Sequence, residues 1–247
     1  MSEFPQLELR SPNVAVIWLG DSENRFRTDY LKRLNGLLDT ILNDDKYGDC
    51  TMLVTSGKGR FYSNGIDLNW LGTQDSQGQK EFVALVQHSL ARFLEFPLVT
   101  VAAVNGHAFA AGGMLALAHD GRVMSSKRGW LSMPEVFLQL PFRPGMLELL
   151  RCKVPLTAHR DFIVLGHRFT AERAKQAGLV DVVTSTSNCQ ELVQQGVEQG
   201  LQLQGGRDMM RDSLAMMKSD MYATASKALR NDDGLPDPRI AHLFAKL

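Results

Sequence analysis

Two stretches of the chain share a design suited to stabilising negative charge. In each, an apolar strand pattern runs into a loop of small residues that opens a helix. Residues 52–54 lead to Ser63, Asn64, Gly65, Ile66, Asp67 and Leu68, and residues 99–104 lead to the run Asn105-Gly106-His107-Ala108-Phe109-Ala110-Ala111-Gly112-Gly113. Small side chains let a ligand approach the main chain, and the free N–H groups at a helix start favour an anion. If the two loops converge, one N–H from each can clamp a carbonyl oxygen. Taken singly, each loop also reads as an ordinary tight turn. Glu135, after Pro134, offers a carboxylate for proton transfer, although a bare Pro-Glu pair also reads as a surface acid after a turn.

Other chemistries find less support. The histidines at 88, 107, 119, 159, 167 and 242 show no metal-ligand spacing with acids or cysteines. His107 reads as a packed loop residue or a substrate contact. His119 ends a helix, where a cationic side chain suits the dipole. The string SGKGR lacks the Gly-Lys-Ser/Thr ending of a phosphate-binding loop, and no Gly-x-Ser-x-Gly elbow occurs. Met209, Met210, Met216, Met217 and Met221 read as helix-packing residues rather than a metal box.

The elements that must position these residues follow from periodicity. Residues 7–10 and 14–19 flank a Ser-Pro-Asn turn and predict a β-hairpin. Leu31, Leu34, Leu37, Leu38, Ile41 and Leu42 share helical spacing after Thr28. Residues 51–55 predict a strand, 73–79 a polar loop, and Val83 to Leu94 a helix that Pro97 stops. Residues 98–104 predict a buried strand and 112–119 a short helix. This alternation implies an α/β fold with a parallel sheet. Beyond about residue 145 strands nearly vanish, and 146–152, 157–165, 171–177 and 189–202 read as helices.

The 247 residues, 44% hydrophobic, suffice for one sizeable core. Charges balance at 27 against 27, which disfavours a nucleic-acid partner. Three cysteines at irregular spacing suit a reducing compartment. The apolar stretch 98–118 is too interrupted to span a membrane, and no secretory signal opens the chain. Ala245-Lys246-Leu247 resembles the peroxisomal Ser-Lys-Leu address, giving an expected peroxisomal location through its import receptor, with the cytoplasm as alternative.

Four ordered segments resemble the crotonase (enoyl-CoA hydratase/isomerase) family: FYSNGIDL, VTVAAVNGHAFAAGGMLALAHD, MPEVFLQLPFRPG and VLGHRFTAERAKQAGLVDVV. The likeness runs from about residue 6 to 185, and within the family is nearest to peroxisomal Δ3,Δ2-enoyl-CoA isomerases. It implies a ββα spiral core over residues 1–185, with a C-terminal helical region over 186–247 that serves trimerisation and covers the pocket. It implies a homotrimer or a dimer of trimers, an acyl-CoA thioester substrate, and no cofactor beyond the coenzyme A of the substrate itself. By the same resemblance the Ile66 and Ala111 N–H groups are the oxyanion donors. Ser63, Asn64, Gly65, Asp67 and Leu68 hold the coenzyme A portion with Gly112 nearby, and the Arg25–Arg27 and Lys58–Arg60 clusters either meet its phosphates or are solvated surface.

The resemblance also orders the acids. Hydratases of the family use two glutamates; the first falls at Met114 here and the second at Glu135. Dienoyl-CoA isomerases add an aspartate where this chain has Arg143. One carboxylate beside a hole is the equipment for moving a double bond, so Glu135 is expected to shuttle a proton from C2 to C4. The neighbours Met114, Leu138 and Leu140 are expected to desolvate it and raise its pKa. Competing readings are a non-catalytic acyl-CoA binder, which Met114 and the Ala110-Ala111 pair allow, and another family reaction such as thioester hydrolysis or decarboxylation.

Overall fold

The computed structural model describes residues 4–10, 13–207 and 209–231. It opens with the expected hairpin, β1 (Gln6–Arg10) antiparallel to β2 (Val14–Trp18). Every residue of β2 is buried. Ala15 and Ile17 enter the main core, while Val14, Val16 and Trp18 enter a second cluster across the sheet. A strand covered on both faces reads as a continuous apolar run, which is why this one was legible. Helix α1 (Thr28–Asn43) buries Leu31, Leu34, Leu37, Leu38 and Ile41.

The chain then repeats one unit three times: a strand of the main sheet, a very short strand of a second sheet, and a helix. The first repeat is β3 (Met52–Ser56) and β4 (Phe61–Ser63), followed by α2 (Leu68–Leu71) and α3 (Ser76–Leu94). The second is β5 (Val99–Val104), β6 (His107–Phe109) and α4 (Ala111–Ala118). The third is β7 (Gly121–Ser125), β8 (Leu131–Ser132) and α5 (Glu135–Leu138). After them come α6 (Pro144–Lys153), α7 (Ala171–Gln176), β9 (Val182–Thr184), α8 (Cys189–Gln204), α9 (Arg211–Met221) and α10 (Ala223–Arg230).

The main sheet runs β1-β2-β3-β5-β7-β9, parallel from β2 onward, and the small sheet runs β4-β6-β8, all parallel. Parallel neighbours end at the same edge. The segments that follow β4, β6 and β8 therefore emerge side by side, and they contain both small-residue loops and Glu135. Read from residue pattern alone, 61–63 and 107–109 fall in loops. They are strands too short for a period of two to register.

Three local corrections have plain causes. Helix α3 begins inside the stretch read as polar loop, because Asp75 caps it by accepting the Gly78 N–H at 2.7 Å. Residues 157–165, read as one helix, form a 3₁₀ turn (Leu156–Ala158) and a π-helical segment (His159–Val164). His119 is not cationic. It is fully buried, and burial holds its pKa near 3. Its Nδ1 donates to Leu115 O at 2.8 Å, leaving Nε2 to accept from Thr55, which in turn accepts from Tyr62.

The helices after β9 attach in two ways. Helix α8 covers the outer face of the main sheet with Leu192 and Val193, and Gly200 brings its backbone so close that a Cβ there would lie 2.4 Å from Met52. Helix α9 is held by cations. Lys218 donates to Phe96 O, Leu98 O and Asp120 at 2.6–2.9 Å, and Arg211 donates to Tyr47 O and Cys50 O. The methionines expected to pack this region, Met209, Met210, Met216, Met217 and Met221, are instead exposed within the single chain. Ala245-Lys246-Leu247 lies outside the described residues.

Candidate active site

The first loop is splinted by residues 23–26. Asn24, at φ 51, donates its side-chain amide to Phe61 O and Tyr62 O, and its own carbonyl accepts from Ser63 Oγ at 2.7 Å. The Asn64 N–H donates to Glu23 O. The Phe26 N–H donates to Gly65 O and the Asp67 N–H to Phe26 O, so the Phe26–Ile66 bridge uses the groups flanking Ile66 and turns its own N–H the other way. Asp67 caps α2 by accepting from the Trp70 N–H at 3.1 Å.

The second loop is fixed from β8: the Ala110 N–H donates to Ser132 O at 3.0 Å, and the Met114 N–H to Ala110 O at 2.9 Å. Ala111 is the first residue of α4, so its N–H has no acceptor within the helix. Ala110 sits at φ 50, ψ −127, a conformation that suits glycine, and strained main chain of this kind gathers at functional sites.

The two loops converge. Gly65, at φ 71, lies so near the second loop that a Cβ on it would stand 3.1 Å from Ala111 N and 2.9 Å from Phe109 O. A Cβ on Gly112 would stand 2.4 Å from Ser63 O. Both positions require glycine for this contact, and the contact brings Ile66 and Ala111 into the wall of one cavity.

Glu135 lines the same cavity. Only 8% of it is exposed, and its Oε2 has no hydrogen-bond partner among the described residues. Burial raises its pKa to about 7, against a small lowering from its own main-chain N–H. Met114, Leu138 and Leu140 line the cavity beside it as expected. The resulting acid is poised to hold or release a proton near neutrality.

The cavity is about 380 Å³, within the range of small-molecule sites. Its charged lining residues are Arg25, Lys80, Arg143, Arg168 and, as the one acid, Glu135. Arg25 is paired with Glu23, while Lys80 and Arg168 add positive charge to the wall. Of the residues named from sequence, Asn64, Ile66, Leu68, Ala111 and Glu135 line it. Ser63, Gly65, Asp67 and Gly112 stand behind the wall and hold the loops in place. Lys58 and Arg60 are not in the wall, and Lys58 stacks over Trp18. His107 packs among Phe61, Phe109 and Trp130. Sequence reasoning missed Arg168, whose guanidinium lies over Phe109 and Trp130, and missed the apolar lining residues Leu71, Phe142 and Met146. These residues come from separate elements, and nothing in their local spacing connects them.

Among the described residues no cluster of three His, Cys, Asp or Glu could hold a metal ion, and no helix is long and apolar enough to cross a membrane.

Residues 10–235 match the protein-family model described as enoyl-CoA hydratase/isomerase. Enoyl-CoA delta isomerase 3 of Arabidopsis thaliana is 33% identical over 229 residues, 90% of each chain. The same plant's peroxisomal enoyl-CoA delta isomerase 2 is 34% identical over 181 residues, 71% of this chain and 75% of that one. A probable enoyl-CoA hydratase of Mycobacterium tuberculosis superimposes with TM-score 0.81 at 25% identity, covering 98% of this chain and 96% of the other. Human mitochondrial delta3-delta2-enoyl-CoA isomerase gives 0.81 at 21% identity, over 98% and 90%, a likeness of fold.

Proposed function

The chain belongs to the enoyl-CoA hydratase/isomerase family and has its crotonase fold, and on that premise we propose that it is a Δ3,Δ2-enoyl-CoA isomerase. The observation that carries the reading is the solitude of Glu135. It is the one carboxylate among the cavity's described lining residues, its buried Oε2 has no hydrogen-bond partner among the described residues, and Met114 lines the same cavity at the position where, by the family resemblance, a two-acid enzyme holds its second carboxylate. A thioether transfers no proton, so addition of water lacks half its apparatus.

In the proposed reaction the thioester oxygen of a 3-enoyl-CoA accepts the Ile66 and Ala111 N–H groups. Glu135 removes a proton from C2, which lies between the carbonyl and the C3–C4 double bond. The electron pair spreads over the dienolate, and the same carboxyl returns the proton at C4, leaving the double bond between C2 and C3. The step is redox-neutral and moves one proton. An oxyanion donor of this kind contributes about 10²–10³ in rate, and a positioned general base about 10²–10⁴. Lys80 and Arg168 of the wall suit the phosphates of coenzyme A. A peroxisomal location belongs to the proposal because two of the delta isomerase relatives are described as peroxisomal.

The test is turnover of 3-enoyl-CoA esters by the wild type and by Glu135→Gln. The variant is expected to lose at least about 10²-fold in kcat while still binding acyl-CoA. Undiminished turnover in the variant, or a wild type that binds acyl-CoA and isomerises none of a chain-length panel, contradicts the reading.

A further inference from the structure

The helix that carries Glu135 has little to hold it. It is four residues long, its cap residue Pro134 supplies no side-chain hydrogen bond, and Val136, Phe137 and Leu138 are exposed, Phe137 to 70%. Burial of its own side chains cannot fix a carboxylate there. What lies beneath it is the turn at residues 164–168. Gly166 sits at φ 62, and a Cβ on it would stand 2.8 Å from Met133 O, 3.0 Å from Val136 Cγ1 and 3.1 Å from Phe137 Cε2. The turn's main chain thus touches the base-carrying segment at a distance that only glycine permits.

The turn is pinned in its own right. Ser132 Oγ donates to Gly166 O at 3.1 Å, and Leu131 and Phe169 exchange two main-chain hydrogen bonds of 3.0 and 2.9 Å. Ser132 is 1% exposed and has a second partner, since its carbonyl accepts the N–H of Ala110, the strained residue that precedes the Ala111 donor. A path of three residues therefore joins the segment that carries Glu135 to the second loop: Gly166 against Met133, Val136 and Phe137 on either side of Glu135, Ser132 bonded to Gly166, and Ala110 bonded to Ser132.

We propose that Gly166 and Ser132 are positioning residues that set the spacing between the Glu135 carboxylate and the Ala111 N–H. The proposal rests on the isomerase reading. Its physical basis is that proton transfer tolerates little displacement: a shift of about 1 Å costs on the order of 10²-fold in rate. Neither residue would transfer a proton; both act by holding what does.

The test compares Ser132→Ala and Gly166→Ala with Gly178→Ala. Gly178 is a second left-handed glycine (φ 72), whose added Cβ would meet only Pro155, so it carries the same backbone strain away from the site. Ser132→Ala is expected to lower kcat about tenfold, and Gly166→Ala about 10²-fold, with KM within about twofold and the acid limb of the pH–rate profile moved. Gly178→Ala is expected to lose thermal stability and keep kcat. If Ser132→Ala and Gly166→Ala lose stability only, with kcat and acid limb unchanged, the proposal is overturned. The Glu135 carboxyl titration, read by infrared difference against Glu135→Gln without substrate, separates the two claims. A wild type inactive on every 3-enoyl-CoA removes the isomerase reading. A titration that stays fixed in Ser132→Ala removes the brace.

Discussion

A buried carboxylate with a raised pKa leaves a signature in both rate and stability. In the proposed reaction Glu135 is ionised when it takes the C2 proton, and desolvation puts its pKa at about 7 against 4.5 in an unconstrained chain. Turnover should therefore rise through an acid limb centred near pH 7. The stability effect has the opposite sign. Between the two values the folded state holds more protons than the unfolded one, so stability falls as pH rises from 4.5 through 7, by about 3 kcal/mol in all. Glu135→Gln should melt higher than the wild type at pH 8, with the gap closing near pH 4.5; equal melting at pH 8 would deny the desolvation. At this scale the sequence supplied Glu135, Ile66 and Ala111 through ordered motifs. It anticipated the desolvation of Glu135 from its apolar neighbours but not that of His119, which was misjudged: a helix-end position favours charge only where water or a partner compensates it.

Elements decide which of these groups meet. The paired short strands β4, β6 and β8 bring the two small-residue loops and Glu135 to one edge, yet each is only two or three residues long and invisible to periodicity. The long strands and amphipathic helices were legible because each buries a repeating face. Helix α9 was misread for a related reason: its methionines suggested apolar packing, whereas the contact that fastens it is Lys218 among Phe96 O, Leu98 O and Asp120. Asp120 also accepts the Thr100 N–H and hydroxyl, so the ion pair ties α9 to the start of β5. Lys218→Met should cost about 2 kcal/mol, because it leaves the Phe96 and Leu98 carbonyls and the half-buried Asp120 carboxylate without the buried ammonium they share. Urea denaturation measures this, and a loss below about 0.5 kcal/mol would mean the cation is not the anchor.

For the whole molecule, apolar side chains stand exposed on several of the described elements, among them Val136, Phe137 and Leu138 of α5, Leu201 and Leu203 of α8, and Met216, Met217 and Met221 of α9. We propose that the homotrimer or dimer of trimers implied by the family resemblance covers such surface. Sedimentation equilibrium should then return three or six chains per particle, and a concentration-independent monomer would contradict it. The spiral architecture itself was legible through resemblance, since composition and periodicity reached only a parallel α/β fold. The central claim, one carboxyl serving as both base and acid, is tested most directly by isotope transfer. With a 3-enoyl-CoA deuterated at C2 in ordinary water, a single shielded carboxyl predicts that part of the label reappears at C4 of the 2-enoyl product. Product whose C4 hydrogen comes wholly from solvent, at every extent of conversion, would contradict the one-base shuttle.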